Sequence, residues 1–252
     1  MAHIQQLKFI EIVNKYFIDE MRLSNSVLRI VEIGSFNVNG SPRSFLEDEK
    51  TDYVGVDLCE GSGVDIVSYG HSLQLPTGAV DFCLSCECFE HDPNWLETFK
   101  NMYRMTRPGG IVAFTCASVG RLEHGTMRTS ADHSPGTQFI GLDYYKNLTQ
   151  DDFLNVLDMH DLFDEYYFFY EKSSYDLYFV GRKANGQKKS NNIDFCKEVA
   201  QIKSLYKFRP KLVNLPVYLA RLVLSENAFQ DFSAKYLNKV KPFREFIKSM
   251  FK

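Results

Sequence analysis

The chain of 252 residues carries 29 Lys and Arg against 32 Asp and Glu, and 44% of its residues are hydrophobic. That composition is ordinary for a globular protein and excludes wholesale disorder, a collagen-like repeat and a small disulfide scaffold. The net charge of −3 hides an asymmetry: residues 1–180 hold 13 basic and 27 acidic side chains, residues 181–252 hold 16 and 5.

Taken in chain order, residues 4–21 place Ile4, Leu7, Ile10, Val13, Phe17 and Met21 at steps of three and four, which predicts an amphipathic helix. The run Val27-Leu28-Arg29-Ile30-Val31-Glu32-Ile33, ended by Gly34, predicts a buried strand. Further strands are expected at residues 53–57, 64–67, 79–85 and 111–116. A helix through Trp95, Phe99, Met102 and Met105 should be closed by Pro108-Gly109-Gly110. Strands alternating with helices imply βαβ units, hence an α/β fold with a mostly parallel sheet and helices on both faces. Residues 117–150 show no clear period. A connection of that length in a compact domain is usually a lid or binding loop. After a helix over residues 151–159, the aromatic runs at 165–170 and 175–180 predict a hairpin.

The charge shift and the polar stretch Asn185-Gly186-Gln187-Lys188-Lys189 predict a boundary there. Residues 1–185 form the acidic body, with 117–150 as its substrate lid. Residues 186–252 form a basic helical extension, interrupted by Pro210, Pro216 and Pro242. The most apolar stretch, residues 212–224, contains Asn214, Pro216 and Arg221 and falls short of the about 20 residues that span a bilayer. No secretory leader is expected from the first residues. The six cysteines read as buried thiols of a reducing compartment, so a cytoplasmic location is expected, with peripheral membrane contact through the basic tail as one alternative.

The segment Glu32-Ile33-Gly34-Ser35-Phe36-Asn37-Val38-Asn39-Gly40-Ser41 suggests a ligand. Gly34 directly after a strand permits a tight turn and lets a ligand approach the backbone. Asp57, at the end of the second strand, can accept hydrogen bonds from a ribose diol. Phe36 and Val38 stand where a dinucleotide fingerprint needs glycine, so a pyrophosphate is not the expected ligand.

With Glu32-Ile33-Gly34, Asp57, Ser85-Cys86-Glu87-Cys88-Phe89-Glu90-His91 and Arg107-Pro108-Gly109-Gly110, residues 27–183 resemble the class I S-adenosylmethionine-dependent methyltransferases. Asn37-Val38-Asn39-Gly40-Ser41, His124-Gly125-Thr126, Ser134-Pro135-Gly136-Thr137 and Tyr144-Tyr145-Lys146-Asn147-Leu148 look like a bacterial subgroup common among glycan-modifying enzymes. The resemblance implies a Rossmann-like sheet of seven strands, the last inserted antiparallel, and S-adenosyl-L-methionine as cofactor. It puts the methionine end on Glu32, Gly34 and Asn39, the ribose on Asp57, and the adenine beside Leu58. Glu87 and His91 fall where cofactor and substrate meet. Tyr69-Gly70-His71 departs from the acid-Ala-His that the family often has near the adenine.

Methyl transfer from a sulfonium chiefly needs alignment of the acceptor and exclusion of water. A sugar hydroxyl additionally needs a general base, for which His124 and His91 are the candidates, with Glu90, Glu123, Asp132 and His133 as orienters or substitutes. Tyr144, Tyr145 and Asn147 are expected in the acceptor wall. No metal is expected: Cys83, Cys86, Cys88 and His91 lack a second ligand pair, and Glu123, His124, Asp132 and His133 lack the flanking pattern of metal-assisted enzymes. The expected activity is O-methylation of a sugar or glycan. The rivals are methylation of a small aromatic or lipid-like acceptor and a non-catalytic nucleoside-binding protein. Among partners, a glycan or small-molecule acceptor and a second copy of the chain are compatible with the sequence; nucleic acid is not expected.

Overall fold

The computed structural model describes residues 3–23, 27–187, 192–205 and 214–250, with side chains to residue 242. Pro210 and part of the apolar stretch at 212–224 lie outside the described residues. The chain opens with α1 (Ile4–Val13), which continues through a π-helical turn, Asn14–Ile18, into α2 (Asp19–Arg22). Then follow β1 (Leu28–Ile33), α3 (Arg43–Leu46), β2 (Thr51–Asp57), β3 (Ile66–Val67), β4 (Val80–Cys86), α4 (Trp95–Met105) and β5 (Thr106–Ala117). The second half comprises α5 (Pro135–Phe139), α6 (Gln150–Leu154), α7 (Met159–Leu162), β6 (Phe163–Glu171), β7 (Asp176–Lys183), α8 (Ile193–Ala200), α9 (Leu215–Val223) and α10 (Glu226–Met250).

The strands form one sheet in the order β3-β2-β1-β4-β5-β7-β6. All are parallel except β7, which runs antiparallel between β5 and β6. This is the Rossmann-like α/β architecture expected. Alternate side chains feed two cores. Ile30, Phe82, Ala113 and Tyr178 face α1 and α8, against Phe9, Phe17 and Phe195. Val31, Cys83, Phe114 and Phe179 face α4 and α6, against Phe99, Met102 and Phe153. Phe114 is sandwiched by Phe153 and Phe179, with ring centroids at 4.8 and 5.1 Å. Each fully buried ring of this kind is worth about 1.5–3 kcal/mol of hydrophobic stabilisation.

Three local expectations change. Arg107-Pro108-Gly109-Gly110 does not end a helix before β5; it is a bulge within the strand. Val80 pairs with Thr106 and Phe82 with Ile111, so these four residues loop out opposite Asp81, with Gly109 at φ +75°. The helix expected over 151–159 is two short ones, α6 and α7, each started by a side-chain cap, from Thr149 and Asp158. Pro242 lies inside α10, and the helix continues past it although Pro removes a ladder bond and crowds the preceding turn.

The helices after residue 185 are not set apart from the rest. Phe195, Val199 and Ile202 enter the same core as α1. Helices α9 and α10 pack together through Val217, Ala220 and Phe229 and close on Leu122 of the lid. The tail meets the body largely through its acids: Glu198 pairs with Lys15 at 2.6 Å, and Asp231 with Arg128 at 2.6 Å.

A candidate methyl-transfer site at the strand ends

The strand order reverses between β1 and β4, and parallel sheets of this kind leave a crevice at such a switch point, beyond the strands' carboxyl ends. A cavity of about 350 Å³ lies there. Glu32, Gly34, Asp57, Leu58, Glu87 and His91, all singled out in the sequence, line it.

Glu32, at 3% exposure, is held by the Tyr53 hydroxyl, which donates to Oε2 at 2.7 Å, and by Ser41 Oγ at 3.5 Å. Burial, against the opposing effect of Tyr53 and Arg43, raises its carboxyl to about 7. Gly34 adopts φ +80°, and a Cβ there would fall 2.5 Å from Cys88 Cβ, so both backbone and space require glycine. Asp57 accepts from the backbone N–H of Phe36 at 3.0 Å and of Leu58 at 2.7 Å, which fixes the carboxylate at the strand end. Burial raises its pKa, and those two donors counter the rise. Lid helix α5 covers it: a Cβ on Gly136 would lie 2.5 Å from Asp57 Oδ1.

One lining residue was missed in the sequence. Gln6 of α1 is wholly buried, and its amide has no nitrogen or oxygen partner, only the Cys86 thiol beside it. A polar side chain on the buried stripe of an amphipathic helix was the available signal; without a nitrogen or oxygen partner in the interior, such an amide costs about 1–3 kcal/mol. Asn39, by contrast, is exposed and outside the cavity lining, where Gly40 and Ser41 stand instead.

Beneath the cavity lie two buried clusters. Glu87 takes φ +53°, rare for a residue with a side chain, and its carboxylate lies 3.6 Å from His3 Nε2 and 3.8 Å from Arg121. Asp176 completes the group, 2.9 Å from His3 and 3.1 Å from Arg121. Burial opposes the charges here, yet bonding to Asp176 and Glu87 lifts His3 to about 9, while His3 and Arg121 hold Glu87 well below the ordinary carboxylate range.

The second cluster is Glu90, His91 and His124, all buried. His91 and His124 stand edge to face with ring centroids 5.0 Å apart, and Tyr145 lies 5.4 and 5.2 Å from them. Burial lowers His91 to about 4 and raises Glu90 to about 8. Only His91 of this trio lines the cavity.

The lid thus divides differently from the expectation. His133, Ser134, Gly136, Thr137 and Leu142 line the cavity, whereas His124, Tyr144, Tyr145 and Asn147 do not. Asn147 is engaged elsewhere, donating to Arg121 O at 2.9 Å and Glu226 Oε1 at 2.5 Å.

The family model described as a methyltransferase domain matches residues 37–114, from the first loop through β5. The cofactor that the sequence resemblance implies is S-adenosylmethionine. Solved structures similar to this chain include the CurJ carbon methyltransferase, at 15% identity and a TM-score of 0.49, over 71% of this chain and 54% of that one. This chain therefore matches about half the length of that protein. Others are a 1,6-didemethyltoxoflavin-N1-methyltransferase from Burkholderia thailandensis (12%, TM-score 0.47, 71% and 80% covered) and the [4+2]-cyclase SpnF (12%, 0.49, 72% and 81%). No curated protein sequence matches the chain. No helix among the described residues is long and apolar enough to cross a membrane.

The residues present fit the cofactor. The buried Gln6 amide and the Glu32 carboxylate suit an amino-acid end. The Asp57 carboxylate has lone pairs left beside its two backbone bonds for a diol, and Leu58 with Gly70 offers apolar surface to a base.

Proposed function

We propose that this methyltransferase methylates a hydroxyl group of a sugar or glycan. The observation that carries the reading is His91: it lines the cavity, is 5% exposed, and neither ring nitrogen has a side-chain partner. A hydroxyl is a poor nucleophile until it begins to lose its proton, and an imidazole at that wall can draw the proton off. Asn94, His133 and Ser134 on the same cavity offer further donors and acceptors, which suits an acceptor bearing several hydroxyls better than a lipid chain or plain aromatic ring.

S-adenosylmethionine supplies a methyl group already activated by the sulfonium charge. Gln6 and Glu32 hold its amino-acid end, and Asp57 orients the ribose. Residues 133–137 cover the cavity and exclude water. His91 accepts the acceptor's proton at a ring nitrogen. His124, behind it, donates from Nδ1 to Leu122 O at 3.1 Å and keeps the wall in place.

The test is a methyl-transfer screen over sugars, nucleotide sugars, phenols and lipids, read by mass spectrometry. Methylated sugar is expected, with turnover of His91→Ala lower by about 10²–10⁴-fold and cofactor affinity within a few-fold. Methylation of phenols or lipids with none of sugars would overturn the reading.

A further inference from the structure

Among the described residues, two groups of three side chains bring ligating atoms within 4.8 Å of one another: Glu90, His91 and His124, and His3, Glu87 and Asp176. They differ in what already neutralises them. The second group contains its own cations, since Arg121 reaches both carboxylates at 3.1 and 3.8 Å and His3 lies 2.9 Å from Asp176. In the first group both Glu90 oxygens, both His91 nitrogens and His124 Nε2 are buried without a side-chain hydrogen-bond partner. Five ligand atoms left so at one place are a costly arrangement for a structural role alone, because an unmade buried bond costs about 1–3 kcal/mol.

We propose that Glu90, His91 and His124 bind a divalent transition-metal ion beside the acceptor end of the cavity. Two imidazoles and one carboxylate form a donor set suited to zinc, iron or manganese and leave coordination positions open. His124 is prepared for the role: its Nδ1–H is used on Leu122 O at 3.1 Å, which leaves Nε2 as a bare lone pair. Ligating histidines are oriented by a second-shell carbonyl in the same way. That Nε2 lies 3.9 Å from Glu90 Oε1. With bonds of about 2.1 Å, two ligands sit about 3.4 Å apart on a tetrahedral ion and about 4.2 Å apart across an octahedral one, so the observed spacing needs little adjustment. Gly125 makes room for His91, because a Cβ there would lie 2.6 Å from its Cε1.

The ion would open toward the cavity through His91. An acceptor hydroxyl binding there forms an oxygen–metal bond, and its O–H bond breaks with the proton passing to the His133 ring on the same cavity wall. The alkoxide is then the nucleophile; in the ion-loaded protein His91 is a ligand, and its role as base described above belongs to the metal-free form. This role, though not the ion site itself, rests on the hydroxyl reading above.

Two measurements on the full chain test the site. After incubation with zinc or manganese salts and removal of the excess, elemental analysis should find one ion per chain. Titration should show binding weakened more than about a hundredfold in Glu90→Gln and His124→Ala, beyond the loss typical of second-shell changes. Magnesium should not compete. S-adenosylmethionine affinity, measured in parallel, reports whether each variant is folded. For a variant that fails it, the cobalt(II) absorption spectrum of the wild type decides, nitrogen-and-oxygen coordination bands supporting the site and their absence overturning it. Substoichiometric metal in the wild type, or equal binding in both folded variants, also overturns it. Stoichiometric metal without any hydroxyl methylation would leave the site standing and refute only the acceptor reading.

Discussion

Glu32, Asp57 and Glu87 stand at the ends of three parallel strands, whereas His133, Ser134 and Gly136 sit on short turns held by loop bonds and a distant helix. The first wall is positioned by the sheet: each residue follows from a strand register that any rearrangement would have to break. The second is positioned by clasps. Glu226 accepts from Gly120 N and from Asn147, and Gln230 bridges Glu123 N and Arg121 O. On the proposed reading, rigid elements would hold the cofactor and replaceable loops would meet the acceptor, a division that lets one fold serve many acceptors.

This contrast can be broken most sharply at Gly34. Gly34→Val adds left-handed strain and a clash with Cys88, together about 2–5 kcal/mol. Cofactor binding should be lost in calorimetry, with a large fall in melting temperature; retained micromolar binding would show that the first wall tolerates movement. Asp57→Ala comes next. It removes the ribose acceptor and the anchor of the Phe36 and Leu58 amides, so affinity should fall about 10²-fold or more, given about 1.5–3 kcal/mol per charged hydrogen bond. An unchanged affinity would remove the ribose assignment.

Glu32 sets a pH dependence. Its folded pKa, about 7, exceeds the ordinary value of 4.5, so its contribution to stability is complete below about 4.5 and fades as pH rises through 7. The cofactor's ammonium group favours the ionised form. Affinity should therefore climb by up to about tenfold per pH unit below 7 and level off above it. Glu32→Gln should flatten that profile. The smallest effect belongs to the second wall: Gln230→Ala removes clasp bonds worth about 0.5–1.5 kcal/mol each, so lid amides should exchange faster while cofactor affinity stays within about twofold.

The same division explains what the sequence disclosed. Glu32, Gly34 and Asp57 were legible because strand ends are marked by local signals, a β-branched run followed by glycine or acid. The reversed β7 was legible through its aromatic pattern and the family resemblance. Gln6 was not, because its role depends on α1 lying across the ends of β1 and β4, a contact far apart in sequence. The lid was misread in detail for a related reason: Tyr144, Tyr145 and Asn147 look like acceptor contacts by composition, but Asn147 is committed to Glu226, 79 positions away. Pro135-Gly136-Thr137 was visible as a motif, yet nothing local says that Gly136 must pass over Asp57.

The insertion of β7 between β5 and β6 has a consequence during synthesis. A ribosome that has delivered β1 to β5 leaves the β5 edge, with Ala113 and Phe114, unpaired until residues 176–183 emerge. The nascent sheet thus spends the interval with an open, sticky border, and Phe179, the ring that closes over Phe114, has yet to arrive. Ribosome stalling or truncation before residue 176 should therefore yield chains that seek a strand from one another or a chaperone, and the hairpin's completion marks the moment when the domain becomes independent of such help.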